Sequence, residues 1–271
     1  MYVLSKDKVL TVLGGLVEGQ SIRSLERQTE VNRNTIMLWL LRAGTAAEAV
    51  SNRLIRGVQP RYIQADELHS FIGKKVADPN HSFSLTNGYK GEAWVFVAID
   101  ADTKVVISYL VGQRDMATAY RLMRDVRRRT VGTFQLTTDG HYMYRDAAEL
   151  AFGAELHFGQ LMKVYSGDEI VGSRPVVVAG TPDVAKISTS YVERNNLTMR
   201  MSVRRLTRKT SAFSKKAANH VAALHLYFAY YNLCRWHRTL KMTPAMAAGL
   251  TDHPWTMEEL VAGALKKWGV M

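Results

Sequence analysis

The chain has 271 residues, enough to bury a full core and to carry one or two smaller units. Its 47% hydrophobic and 22% charged content is that of an ordinary globular protein, and no apolar run approaches the ~18 residues that span a bilayer. A lone cysteine, Cys234, excludes an internal disulfide and a zinc cluster built on several cysteines, while a net charge of +12 points to a polyanionic partner.

Taken along the chain, residues 5–18 come first. Val9, Val12, Leu13, Leu16 and Val17 recur there at i, i+3, i+4 spacing, one apolar stripe of a helix. The N-terminus has no secretory pattern, so a reducing cytoplasm and no membrane partner are expected. Gly19-Gln20 ends the first helix, and Ser21 caps a second with Ile22 and Leu25 inward. After a break at residues 30–32, Asn32 caps a third over residues 33–42, with Ile36, Trp39 and Leu40 as its buried side. Three short helices with a tight turn before the third predict an all-α helix-turn-helix unit, with a plain structural bundle as the competing reading. Arg33, Asn34 and Thr35 open the third helix and carry donors suited to phosphates and base edges in a major groove.

Residues 43–60 read as a linker with one helical stretch. A strand over residues 62–71 follows, then a compact polar loop, residues 73–91, that carries Pro79, Asn80 and Asn87. Apolar, β-branched runs at 93–99 and 105–111 flank the turn sequence DADTK and predict a hairpin. A helix over 116–129, a strand over 134–138 and a helix over 144–152 come next. Residues 153–189 read as poor in strands, and helices are expected at 190–205 and 214–236. Thr256 and Glu259 have the spacing of a capping box, so one short helix is expected in the tail. The order β-β-β-α-β-α, with later helices on the sheet, is the ribonuclease-H-like plan: an α/β core with a mixed five-stranded sheet and flanking helices. The expected division is a helix-turn-helix unit and linker over 1–56, a catalytic domain over 57–250 and a helical tail over 251–271.

Three carboxylates stand out against this plan. Asp66 ends a strand-like run over residues 61–66, Asp139 follows another over residues 134–138, and Glu193 opens a helix. From Lys186 to Lys241 the chain holds twelve lysines and arginines and one acid, Glu193. Such a stretch is the electrostatic footprint of a nucleic acid, with a solvated basic face as the bland alternative. Arg194, Arg200, Arg204, Arg208 and Lys209 are the candidate phosphate contacts. Phosphodiester cleavage uses two divalent ions about 3.5–4 Å apart, and hard Mg²⁺ takes hard carboxylate oxygens. Asp66 would bridge both ions, with Asp139 on one and Glu193 on the other. Each acid has a structural alternative: Asp66 as a solvent-facing strand end with Glu67 the ligand instead, Asp139-Gly140 as an ordinary turn, and Glu193 as half of a salt bridge. Alternation along a strand allows only one of Asp66 and Glu67 to face the site. His141 reads as a site-edge or packing residue.

The segments QADELHSFIGKK, WVFVAIDADTK, GQRDMAT, LTTDGHYMY and STSYVERNNLTMRMSVRRLTRKTSAFSKK resemble, in order and spacing, the insertion-sequence-one type of bacterial DDE transposase. The segment YYNLCRWHRTLKMTPAMAAG is similar to a tail motif of many integrase-like transposases. The resemblance implies an enzyme that binds terminal inverted repeats in double-stranded DNA, cleaves the element's ends and joins the 3′-hydroxyls to target DNA. It implies two Mg²⁺ ions, with Mn²⁺ able to substitute, held by the catalytic acids Asp66, Asp139 and Glu193, and so chooses Asp66 over Glu67. It also implies a homodimer or larger synaptic assembly, associated with the nucleoid. Two other readings are a non-catalytic helix-turn-helix regulator derived from a transposase and a nuclease of the same fold acting on hybrids or junctions.

Overall fold

The computed structural model describes residues 4–75, 83–86 and 88–270. Pro79, Asn80 and Asn87 of the expected polar loop lie outside the described residues. In chain order the elements are α1 (Lys6–Val17), α2 (Ile22–Thr29), α3 (Arg33–Leu54), β1 (Tyr62–Ile72), β2 (Gly91–Asp100), β3 (Val106–Gly112), α4 (Met116–Arg129), β4 (Gln135–Asp139), α5 (Met143–Phe152), β5 (His157–Ser166), β6 (Glu169–Ala179), α6 (Ser190–Ser202), α7 (Ala217–Leu233), α8 (Pro244–Ala247) and α9 (Met257–Lys267). They form two compact units, one from residues 1–54, 70–92 and 197–271 and one from residues 55–69 and 93–196. No described helix is long and apolar enough to cross a membrane.

The first unit is helical. Ser21 accepts from the Ser24 amide at 3.1 Å and Asn32 from the Asn34 amide at 2.8 Å, so both caps form as their side chains predict. The third helix runs to Leu54 rather than stopping near residue 42. Alanine-rich residues 43–50 are strong helix formers, and Ala43, Gly44, Ala47 and Ser51 turn one small-residue face inward. There α3 lies against α7: a Cβ on Gly44 would stand 2.7 Å from Ala222. Leu13 of α1, Leu25 of α2, Leu40 of α3, Leu226 of α7 and Leu260 of α9 belong to one apolar core. The capping box on α9 forms, with Thr256 and Glu259 bonding each other's backbone amides.

The second unit is built on a sheet of order β3-β2-β1-β4-β5-β6. β2 and β3 are antiparallel, β1 runs parallel to β4, and β4 parallel to β5. The hairpin turn forms around Asp100, whose carboxylate accepts from the Asp102 amide and the Thr103 hydroxyl, with Lys104 in the left-handed region at φ 62°. The five-strand order 3-2-1-4-5 is the ribonuclease-H-like core, and a sixth strand, β6, extends it antiparallel to β5. Residues 153–189, expected to be poor in strands, therefore contain a long hairpin that turns at Gly167, φ 60°. Most of residues 163–178 are exposed, so apolar and polar residues follow no one-sided pattern there, and the strand signal was hidden.

Candidate active site

Parallel pairing of β1 with β4 sets Asp66 beside the carboxyl end of β4: Ala65 is in register with Thr138, so Asp66 and Asp139 follow on adjacent strands. Asp139 ends β4, whereas β1 continues past Asp66 to Ile72, so Asp66 is a mid-strand residue and not the strand end its sequence context suggests. Helix α6 begins beside β1 because the Gln64 side-chain oxygen accepts from the Tyr191 and Val192 amides at 2.8 and 3.1 Å. One turn further on, Asn196 donates to Asp66 Oδ2 at 2.8 Å.

Carboxylate oxygens of Asp66, Glu67 and Asp139 lie within 4.8 Å of one another. Glu193 stands outside that group, on the exposed side of α6, where the Thr189 hydroxyl donates to it at 2.8 Å. Its charge nonetheless acts on Asp66. Glu67 departs from the alternation argument. Alternation governs the direction of Cβ, whereas the Glu67 carboxylate, further along a longer side chain, is held by Arg114 at 2.6 Å and by the Tyr144 hydroxyl at 2.6 Å. Its side chain is 1% exposed. Arg114 lies over the Trp94 ring, 4.6 Å from its centre. Burial and the neighbouring Glu67 and Asp139 charges push Asp66 up to about 7, while a backbone hydrogen bond opposes the shift. Burial, then the Glu67 charge, raises Tyr144 and keeps its hydroxyl a donor.

Three carboxylates in a half-buried cluster fit a hard divalent cation, whose charge would favour the ionised form of Asp66 against burial and the neighbouring Glu67 and Asp139 charges. Arg114, Tyr144 and Asn196 were not picked out from sequence. They became visible only as partners of the acids, since none has a spacing signature of its own.

The candidate DNA contacts fall in several places. Arg33 and Asn34 are exposed at the start of α3 and Thr35 is half-buried. Arg194 is exposed on α6 and Arg200 half-buried, while Arg204, Arg208 and Lys209 are exposed in the turn and loop beyond it. Arg205 differs from its neighbours: it turns inward and donates to the Ser214 hydroxyl at 3.1 Å.

A family model described as IS1 transposase matches residues 164–232. InsB of the insertion element IS1 2 from Escherichia coli (strain K12) is 29% identical over 137 residues, 49% of this chain and 64% of that relative. InsB of insertion element IS1 from Shigella sonnei shows the same identity over 81% of its length. Over these stretches the chain is similar to IS1 transposases. It spans about 64% of the length of the E. coli relatives it matches. Solved transposase structures also align with this chain. A piggyBac transposase synaptic complex with hairpin DNA does so over 98% of this chain and 73% of its own, at 11% identity and TM-score 0.38. A Mos1 mariner paired end complex with Mn covers 97% and 80%, at 14% identity and TM-score 0.31.

Proposed function

We propose that this chain is a DNA transposase that hydrolyses phosphodiesters at the ends of a mobile element and joins the freed 3′-hydroxyls to target DNA. The observation that carries the proposal is the meeting of Asp66, midway along β1, with Asp139 at the end of the parallel strand β4, beside the start of α6. Similarity to IS1 transposases supports DNA as the substrate class.

In this reading Asp66 and Asp139 hold Mg²⁺ or Mn²⁺ together with Glu193, and Glu67 adds negative charge to the same cluster. The bound ions would supply an activated oxygen nucleophile and neutralise charge building on the phosphate. The residues of the chain prepare that chemistry. Asn196 orients one oxygen of Asp66, and Arg114 and Tyr144 hold Glu67 beside the other two acids against their mutual repulsion. In the first step a water oxygen bonds to phosphorus, the bond to the 3′-oxygen breaks, and that oxygen takes up a proton. In the second the same 3′-hydroxyl gives up its proton as its oxygen bonds to a target phosphorus, and the target's own 3′-oxygen leaves and takes up a proton.

Arg33, Asn34 and Thr35 would read the terminal repeats, and Arg194, Arg200, Arg204, Arg208 and Lys209 would neutralise phosphates. The functional division is then residues 1–56 for end recognition, 57–250 for catalysis and 251–271 as a helical tail. Two ends must be held together for transposition, so the working form is a dimer or larger assembly on double-stranded DNA. A bacterial cytoplasm, at the nucleoid, is the matching compartment.

The test is cleavage of a labelled duplex carrying the repeats that flank this reading frame. Nicking with Mg²⁺ or Mn²⁺, lost in Asp66→Asn and in Asp139→Asn, is the expected result. Cleavage that survives both substitutions overturns the proposal. Binding without cleavage, indifferent to metal, would instead support a regulator that kept only the helix-turn-helix.

A further inference from the structure

Between β4 and α5 the chain reads Asp139-Gly140-His141-Tyr142, and this short turn is held more firmly than an exposed connection requires. Asp139 Oδ1 accepts from the His141 amide at 3.1 Å. Gln160 on β5 is fully buried, and its amide nitrogen donates to the Asp139 carbonyl at 2.9 Å, the His141 carbonyl at 3.2 Å and the Thr138 hydroxyl at 3.4 Å. Its oxygen accepts from Arg145 at 3.0 Å. Gly140 lets β5 come close: a Cβ there would stand 2.5 Å from the Met162 sulfur. Below the turn, Met143 and Tyr144 are buried and anchor α5.

What this support presents to solvent is a pair of stacked rings. His141 and Tyr142 lie with centres 4.8 Å apart and planes inclined by 26°. His141 Nδ1 accepts from the Met143 amide at 3.4 Å, which fixes the imidazole against the helix start. Tyr142 is 73% exposed, so one ring face rests on His141 and the other is open. A solitary exposed tyrosine needs no explanation. A tyrosine stacked on a second ring, in a turn whose backbone a buried glutamine holds and three residues from a cluster carboxylate, is a preorganised flat surface.

We propose that His141–Tyr142 is a binding platform for one unpaired nucleobase of the nucleic acid engaged at the carboxylate cluster. This rests on the nucleic-acid reading given above. Every base offers a π-face whatever its sequence, so an open aromatic ring takes any of them. A base beside a phosphate held near these acids through a divalent cation would lose a stacking neighbour on entering the half-buried cluster. The Tyr142 ring replaces that neighbour. Because the contact is not ionic, it adds affinity without releasing counterions.

The experiment measures binding of the full chain to a labelled single-stranded oligothymidylate, and to one carrying a single 2-aminopurine, neither holding the element's ends, with Ca²⁺ in place of Mg²⁺ or Mn²⁺. Tyr142→Ala is expected to weaken binding about 5- to 100-fold. The salt dependence should keep its wild-type slope, and the 2-aminopurine quench seen with wild type should be lost. Tyr142→Trp should bind and quench like wild type. Since Tyr142 is mostly exposed, its variants should melt as wild type does. Wild-type protein that binds, with Tyr142→Ala matching it in affinity and quench, overturns the platform alone. A fall in affinity accompanied by a shallower salt slope also overturns it, since that marks a lost phosphate contact. Wild-type protein that ignores the oligonucleotide at low salt overturns the nucleic-acid reading and the platform with it.

Discussion

The Tyr144 hydroxyl donates to Glu67 at 2.6 Å, from a fully buried position on α5 to a carboxylate whose side chain is 1% exposed. Arg114 approaches the same carboxylate at 2.6 Å. Removing only the hydroxyl isolates its role. Tyr144→Phe keeps the ring that packs edge-on against Phe96, 6.3 Å between centres, and leaves one buried carboxylate oxygen without its donor. We expect a loss of about 1–3 kcal/mol in stability by urea denaturation. Mn²⁺ affinity measured calorimetrically should fall about 10- to 100-fold, the usual effect of losing a group that orients metal ligands. A variant with wild-type stability and unchanged metal affinity would show that Arg114 alone positions Glu67.

Asp66 predicts an unusual dependence on pH. Burial, then the charges of Glu67 and Asp139, lift it to about 7, above the ordinary carboxylate range near about 4. Between those values the folded chain holds a proton that the unfolded chain has released, so stability without metal falls as pH rises from about 4 to about 7. Asp66→Asn should flatten that slope. Metal needs the ionised form, so Mn²⁺ affinity should climb through pH 6 to 8, and binding near neutrality should release a proton. Calorimetry in buffers of different ionisation enthalpy measures that proton. Affinity independent of pH over this range would mean that Asp66 is already ionised.

How far the sequence could be read depended on what each element presents to its surroundings. The strand carrying Asp66 and the one leading to Asp139 are bounded by turn residues and bury most of their length, and β-branched runs betray the β2–β3 hairpin. The β5–β6 hairpin escaped because its outer half is exposed, so no alternation separates an inner face from an outer one. Helix α3 was read too short because its second half buries alanine, glycine and serine, a pattern without apolar contrast. At the site, residue type found the acids, but only the fold brings Glu67 within 4.8 Å of Asp66 and Asp139. Gln160 and Asn196 gave no signal either, because an amide side chain takes its meaning from the groups it reaches.

The contact of α3 with α7 makes opposite predictions for two helical glycines. Alanine raises helix propensity by roughly 0.8–1.0 kcal/mol over glycine when the added methyl meets nothing. Gly14 of α1 has no atom within 4 Å of where its Cβ would lie, so Gly14→Ala should stabilise the protein by up to about 1 kcal/mol. At Gly44 the same methyl would stand 2.7 Å from the Cα, Cβ and carbonyl oxygen of Ala222, atoms of another helix with no flexible side chain to yield. Overpacking of this kind costs about 1–3 kcal/mol and exceeds the propensity gain. Gly44→Ala should therefore lower the melting temperature while Gly14→Ala raises it. Because Ala222 lies in the core shared by α1, α3, α7 and α9, the loss should appear as one cooperative shift of the helical unit. If Gly44→Ala instead stabilises, α3 and α7 can move apart without loss, and their close approach contributes little to the core.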